Sequence, residues 1–173
     1  MTLIVCPLQS VADEMERSCP ARLMSLLAPH QDAPDAPRGL PRLTLRFHDI
    51  DTPSPGLIAP NKAMIGDMLA FGAAWSEPGP LLIHCWMGIS RSTAAAFILA
   101  CAADASRDEL EIALALRRAS PTATPNPLVV ALADEHLARD GRLVAAAASI
   151  GRGDEAACGS PFRLAARCSI QRA

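Results

Sequence analysis

The sequence predicts an α/β domain, with a central and mostly parallel sheet of about four to five strands flanked by helices. Two observations carry that expectation. Through the first half of the 173 residues, short apolar runs alternate with segments of helical period, whereas the second half reads as helix after helix. In addition, LLIH at 81–84 is short and wholly apolar, as suits a strand at the centre of a parallel sheet covered on both faces.

Taken in order, TLIVCPL (2–8) reads as the first strand and SVADEMERS (10–18) as a short polar helix. RLMSLLA (22–28) is the second strand. HQDAPDAPRGLP (30–41) is broken repeatedly by proline and glycine and forms a surface loop, after which RLTLRF (42–47) alternates polar and apolar residues as the third strand. HDIDTPSPG (48–56) is a second loop. Met64, Ile65, Met68, Leu69, Phe71, Gly72 and Trp75 then recur at helical spacing, with Asn61 or Pro60 at the start and EPGP closing the helix. After LLIH come three helical segments, at 92–103, 106–118 and 127–139. Ser106 is the expected cap of the second, with Asp108 and Glu109 in its first turn. Residues 1–150 are expected to form a single domain. The tail from Gly151, GRGDEAACGSPFRLAARCSIQRA, has weak periodicity and is expected to be loosely docked or disordered.

Composition narrows the class of protein. Half of the residues are hydrophobic, 20% are charged and the formal charge is -2, which describes a globular chain and suggests no nucleic-acid partner. The first residues, MTLIVCPLQS, read poorly as a signal peptide, and the most apolar run, residues 93–103, falls short of the roughly 20 residues that span a bilayer. A soluble cytoplasmic protein is the simplest expectation. Cys6, Cys19, Cys85, Cys101, Cys158 and Cys168 lack the paired spacings of zinc sites or disulfide frameworks, and His30, His48, His84 and His136 form no ligand-spaced cluster, so neither a metal nor a cofactor is expected.

The chemistry concentrates in HCWMGISRS, residues 84–92. With LLIH on the sheet and SRSTAAAFILA on a helix, residues 85–91 join the carboxyl end of a strand to a helix amino terminus, where open α/β sheets bind ligands. The unpaired N–H groups there favour an anion. Gly88 lets the loop curl so that the amides of Trp86, Met87, Gly88, Ile89 and Ser90 point inward, and Arg91 adds a planar fork of donors suited to phosphate oxygens. The same positive field favours a thiolate at Cys85.

This stretch resembles the His-Cys-(any five)-Arg-Ser/Thr signature of the cysteine-dependent protein tyrosine phosphatase superfamily, in the HCxxGxSRS form of its dual-specificity branch. The likeness covers roughly residues 43–137 and is nearest to small bacterial tyrosine-phosphatase-like proteins. It implies a phosphatase fold, no metal or cofactor, and a phosphorylated protein or small phosphomonoester as partner. Carried over by position, it implies Cys85 as nucleophile, with Arg91 and the amides of residues 86–91 holding the phosphoryl oxygens. Ser92 would hydrogen-bond the departing thiolate, and His84 would orient the loop. The general acid falls in FHDIDTPSPG. Asp49 is favoured because it directly follows the strand, where the acid of the resembled family usually lies, and Asp51 stays a rival; both are also ordinary turn residues. Asn126 either bridges loops near the site or serves as a turn residue between two prolines. Cys6 is expected in the core, a disulfide with Cys85 being the alternative that some relatives suggest. The chain departs from the tyrosine-specific branch in having no Trp-Pro-Asp loop and no tyrosine, and its loop lacks the lysines of phosphoinositide phosphatases.

Three activities are therefore open to such a sequence. The first is a protein phosphatase acting on phosphotyrosine, with phosphoserine and phosphothreonine as further substrates. The second is a catalytically weak phosphate-binding module, and the third, disfavoured by the motif, is a sulfurtransferase of the rhodanese type.

Overall fold

The computed structural model describes residues 1–166. Its strands are β1 (Thr2–Pro7), β2 (Arg22–Leu27), β3 (Arg42–Arg46), β4 (Leu81–Cys85) and β5 (Phe162–Ala165), in the order β3-β2-β4-β1-β5. β1, β2, β3 and β4 are mutually parallel, and β5 pairs antiparallel with β1. The helices are α1 (Val11–Ser18), α2 (Lys62–Ala73), α3 (Arg91–Ala103), α4 (Glu109–Ala119), α5 (Pro127–His136) and α6 (Arg142–Ser149).

The strand sequences explain why the sheet is covered twice. In β1 and β4, alternate residues serve opposite cores. Leu3, Val5, Leu81 and Ile83 join the large cluster built with the helical layer that includes α2, α3, α4, α5 and α6, while Ile4, Cys6 and Leu82 pack with Val11 of α1. A strand buried on both faces has no use for polar alternation, which is why LLIH reads as one apolar run. α3 is the central helix: its residues Arg91 to Cys101 are all buried, because β4 and β1 lie on one side and other helices on the rest. Among the described residues no helix is long and apolar enough to cross a membrane.

Three details differ from the sequence expectation. α4 begins later than Ser106: the Ser106 hydroxyl is taken by Asp104 Oδ1 at 2.6 Å, and the Asp108 carboxylate caps the helix by accepting from Leu110 N at 2.8 Å. A further helix, α6, follows α5. Its first turn is held by the buried carboxylate of Asp134, which accepts from the N–H groups of Gly141 and Leu143, both at 2.7 Å. The segment after residue 150, expected as a loose tail, supplies the edge strand β5 and so belongs to the same sheet; Phe162 and Leu164 are buried against the core. Residues 167–173, including Cys168, lie outside the described residues.

Candidate active site

Because β1 to β4 are parallel, their carboxyl ends open on one edge of the sheet. Leu8 leaves β1 there, Phe47 to Asp49 leave β3, and residues 86–90 run from β4 into α3. β5 runs the other way, with Phe162 opposite Val5, so the residues preceding it arrive at this same edge.

The loop from Cys85 to Arg91 is curled around the cysteine sulfur. Gly88 N donates to Cys85 Sγ at 3.2 Å, and Ser92 Oγ lies 3.1 Å from the same atom. Gly88 sits at φ +70°, and a Cβ there would lie 2.7 Å from Pro7 N, so both the backbone conformation and the approach to β1 require glycine. The loop carbonyls are held from outside. Leu8 N donates to Trp86 O at 3.2 Å, Gly159 N to Met87 O at 2.8 Å, and Thr124 N to Ile89 O at 2.9 Å. In a planar trans peptide the C=O and the following N–H point in opposite directions. Outward carbonyls therefore aim the amides of Met87, Gly88 and Ser90 inward, forming an N–H-lined concavity at the amino terminus of α3, an arrangement suited to an anion.

Arg91 is buried, with Nη1 donating to Phe47 O at 3.0 Å and its guanidinium carbon 6.0 Å from the Phe47 ring centre. Its Nε is 3.6 Å from Asp49 Oδ2, an ion pair too long for a hydrogen bond. Asp49 Oδ1 accepts from Ser90 Oγ at 2.7 Å and from Asn126 Nδ2 at 2.8 Å. Asn126 also donates to Ile50 O at 3.1 Å and caps α5 by accepting from Val129 N at 3.0 Å, so it ties the loop after β3 to the start of α5. Of the two readings left open for Asn126, the bridge is the one the structure shows, and the α5 cap is a role that neither reading named. Asp51 is exposed and makes no hydrogen bond or ion pair among the described residues. Of the two aspartates, the fold brings Asp49 to the phosphate-loop candidates and leaves Asp51 on the surface.

His84 is fully buried on the opposite face of β4, with Nε2 2.7 Å from Ser25 Oγ. Burial pushes its pKa down to about 4, the Arg91 charge adding to the effect and the Cys85 backbone opposing it, so the imidazole is neutral near pH 7. Its Nδ1 has no hydrogen-bond partner of good geometry, although the Cys85 backbone is close enough to favour its proton. Cys6 sits beside His84 in the pairing register and packs in the α1 core as a free thiol, pushed up to about 12 by burial first and by the neighbouring Glu14 next. Trp86 and Met87 are exposed at the rim.

A cleft of about 540 Å³ opens beside the loop. Asp49, Met87, Ile89 and Ser90 form one side of it, and the carboxy-terminal segment from Arg152 to Ala157 forms the other. Sequence reasoning missed that segment, together with the Leu8, Thr124 and Gly159 amides. The glycines of GRGDEAACG were the available signal. Gly153 packs its Cα where a Cβ would strike Thr122 at 2.5 Å, and a Cβ on Gly159 would lie 3.0 Å from Gly88 O. Among the described residues, no group of three or more His, Cys, Asp or Glu side chains is placed to hold a metal ion.

No protein-family model matches the chain, and no curated protein matches it. Among solved structures, the crystal structure of DUSP15, a dual-specificity phosphatase, is similar to it with a TM-score of 0.58 and 17% sequence identity, covering 84% of this chain and 85% of that one. The chain therefore has a fold of the dual-specificity phosphatase type, with its five-stranded sheet flanked by helices.

Proposed function

We propose that this protein is a phosphomonoesterase that works through a phosphocysteine at Cys85, without metal or cofactor, on phosphotyrosine and also on phosphoserine or phosphothreonine. The observation that carries the reading is the surround of the Cys85 sulfur. A Gly88 amide and the Ser92 hydroxyl lie within hydrogen-bond distance of it, at the floor of an amide-lined curl backed by the buried Arg91.

In the proposed reaction the thiolate attacks phosphorus as the ester bond to the leaving oxygen breaks. The inward amides and Arg91 take up the charge on the three equatorial oxygens. Asp49 gives its proton to the leaving oxygen. Oδ1 accepts from Ser90 and Asn126, and Oδ2 faces the Arg91 guanidinium at 3.6 Å. Water then attacks the phosphocysteine while Asp49 takes the proton back, releasing inorganic phosphate, and the Ser92 hydroxyl donates to the sulfur as it departs as thiolate. His84, neutral and behind the strand, supports the loop and transfers no proton.

The test is hydrolysis of p-nitrophenyl phosphate by the purified protein in the presence of a chelator. Activity should vanish in Cys85→Ser and persist in Cys101→Ser, since Cys101 is a core thiol pushed up to about 12 by burial. Retained turnover in Cys85→Ser overturns the mechanism. Absent turnover in the unmodified chain, with vanadate still bound, favours a phosphate-binding module instead.

A further inference from the structure

The carboxy-terminal segment does more than border the cleft. It crosses the sheet edge as a strap fastened at both ends. Near its start, Gly153 N donates to Thr124 Oγ1 at 3.0 Å and Asp154 N donates to Pro121 O at 3.0 Å. Arg117 also holds the carbonyls of Ile150, at 3.1 Å, and Gly151, at 2.9 Å. At its far end Gly159 is buried against the phosphate-loop candidate, and β5 follows within three residues to lock the strap to the sheet.

Gly159 N donates to Met87 O at 2.8 Å, and Cys158 Sγ lies 3.5 Å from the same oxygen. That carbonyl belongs to the peptide unit whose N–H, on Gly88, reaches Cys85 Sγ at 3.2 Å. The unit is planar, so anchoring its oxygen from the outside sets the direction of its hydrogen on the inside. Gly88 alone is a poor guarantor of that direction, because a glycine at φ +70° has more backbone freedom than any other residue. The trans donor supplies what the loop sequence lacks. Gly159 is also the residue type that the contact requires, a Cβ being only 3.0 Å from Gly88 O.

We infer that the Gly159 N–H is a positioning group for the loop: by holding the Met87 carbonyl outward, the strap keeps the Gly88 amide aimed at the Cys85 sulfur and at any oxyanion bound above it. Gly159 touches neither sulfur nor substrate and acts only through this peptide unit. The inference rests on the reading of the loop as an anion site, but its test does not need turnover.

The groups that face the sulfur are the Gly88 amide and the Ser92 hydroxyl, with Cys6 and Cys158 near enough to interact electrostatically and Arg91 at the head of α3. Losing one well-aimed donor should disfavour the thiolate. Cys158 permits a clean deletion, because a recombinant thioester ending at Ala157 can be ligated to a synthetic peptide beginning at Cys158. In that peptide glycolic acid replaces Gly159, so an ester oxygen stands where the N–H was and the rest of the full-length chain is unchanged.

Compared with the all-amide ligated chain, the ester chain should show alkylation of Cys85 by iodoacetate displaced to higher pH by about one unit, and vanadate bound about tenfold more weakly. Mass spectrometry of the peptide carrying Cys85 isolates its signal from the other thiols. The encoded variant Gly159→Pro removes the same donor and should move both readouts in the same direction. Ser160→Ala, at an exposed neighbour, should move neither. Should the proline variant fail to fold, the ester chain, which keeps the shape of the backbone, decides the matter. An ester chain with the alkylation profile and vanadate affinity of its all-amide counterpart overturns the inference. If the unmodified chain hydrolyses no phosphomonoester yet the profile shifts as stated, the proposed reaction fails and the positioning role stands.

Discussion

Gly88→Ala is the substitution for which the structure makes the sharpest demand. Residue 88 sits at φ +70°, where an L side chain costs about 1–2 kcal/mol. The added Cβ would then lie 2.7 Å from Pro7 N, 3.0 Å from Cys6 C and 3.1 Å from Pro7 Cα. These are backbone atoms of β1, which is held between β4 and β5 and cannot retreat as a side chain would. Relieving the closest contact to about 3.4 Å needs roughly 0.7 Å of movement, and the loop is the part that can move. The Gly88 amide, now 3.2 Å from Cys85 Sγ, would be carried toward about 3.9 Å and out of line. With overpacking added to the backbone cost, stability should fall by roughly 2–4 kcal/mol, and kcat/KM on p-nitrophenyl phosphate by about 100-fold or more. Urea unfolding and initial rates measure the two. Gly39→Ala is the control: at φ +87° it bears the same backbone cost but meets nothing within 4 Å. It should lose about 1–2 kcal/mol with kinetics unchanged. If Gly88→Ala kept kcat/KM within about twofold and unfolded like Gly39→Ala, the loop would not be the rigid cradle argued from its contacts.

Three further outcomes follow from the same geometry. His84 titrates at about 4 in the folded chain against an ordinary 6.5, so between those values the unfolded chain binds a proton that the folded chain refuses. Its contribution to stability is therefore intact above pH 6.5 and declines as the pH falls toward 4, by about 2 kcal/mol between pH 7 and pH 5. Urea midpoints across that range should show the slope in the unmodified chain and lose that part of it in His84→Gln; equal slopes would mean that the imidazole is charged where it lies. Asn126→Ala removes the α5 cap and both bonds to the loop after β3, and should cost roughly 2–3 kcal/mol and lower kcat while leaving the rate of Cys85 alkylation unchanged. An unaltered kcat would detach Asn126 from the chemistry. For the proton donor, Asp49→Asn should slow turnover about 100-fold or more on alkyl phosphates, and less on p-nitrophenyl phosphate, whose leaving group needs less help. Asp51→Asn should be near neutral, and the reverse ranking would move the acid role to Asp51.

What the sequence disclosed and what it hid divide along a physical line. HCWMGISRS was legible because its parts are contiguous and act through side-chain type or its absence: a thiol, a guanidinium, a hydroxyl, and a glycine where φ is positive. Asp49 was singled out through the resemblance, as the acid that directly follows the third strand, and the parallel sheet then delivers that strand's carboxyl end to the same edge as the loop. α6 was hidden because RLVAAAAS carries no cap of its own; Asp134, back in α5, supplies it. β5 was hidden because four residues of an edge strand become a strand only by pairing with β1. The deeper omission lies in the loop itself. The three amides that hold its carbonyls outward come from Leu8, Thr124 and Gly159, residues scattered across the chain whose contribution is a backbone N–H. Every residue except proline owns that donor, so no residue type announces it. A motif names the groups that would meet a substrate, but the orientation of an amide cradle depends on donors that only the folded chain selects. In this chain those donors reach the cradle from the end of β1, from the turn before α5, and from a strap at the far end of the sequence.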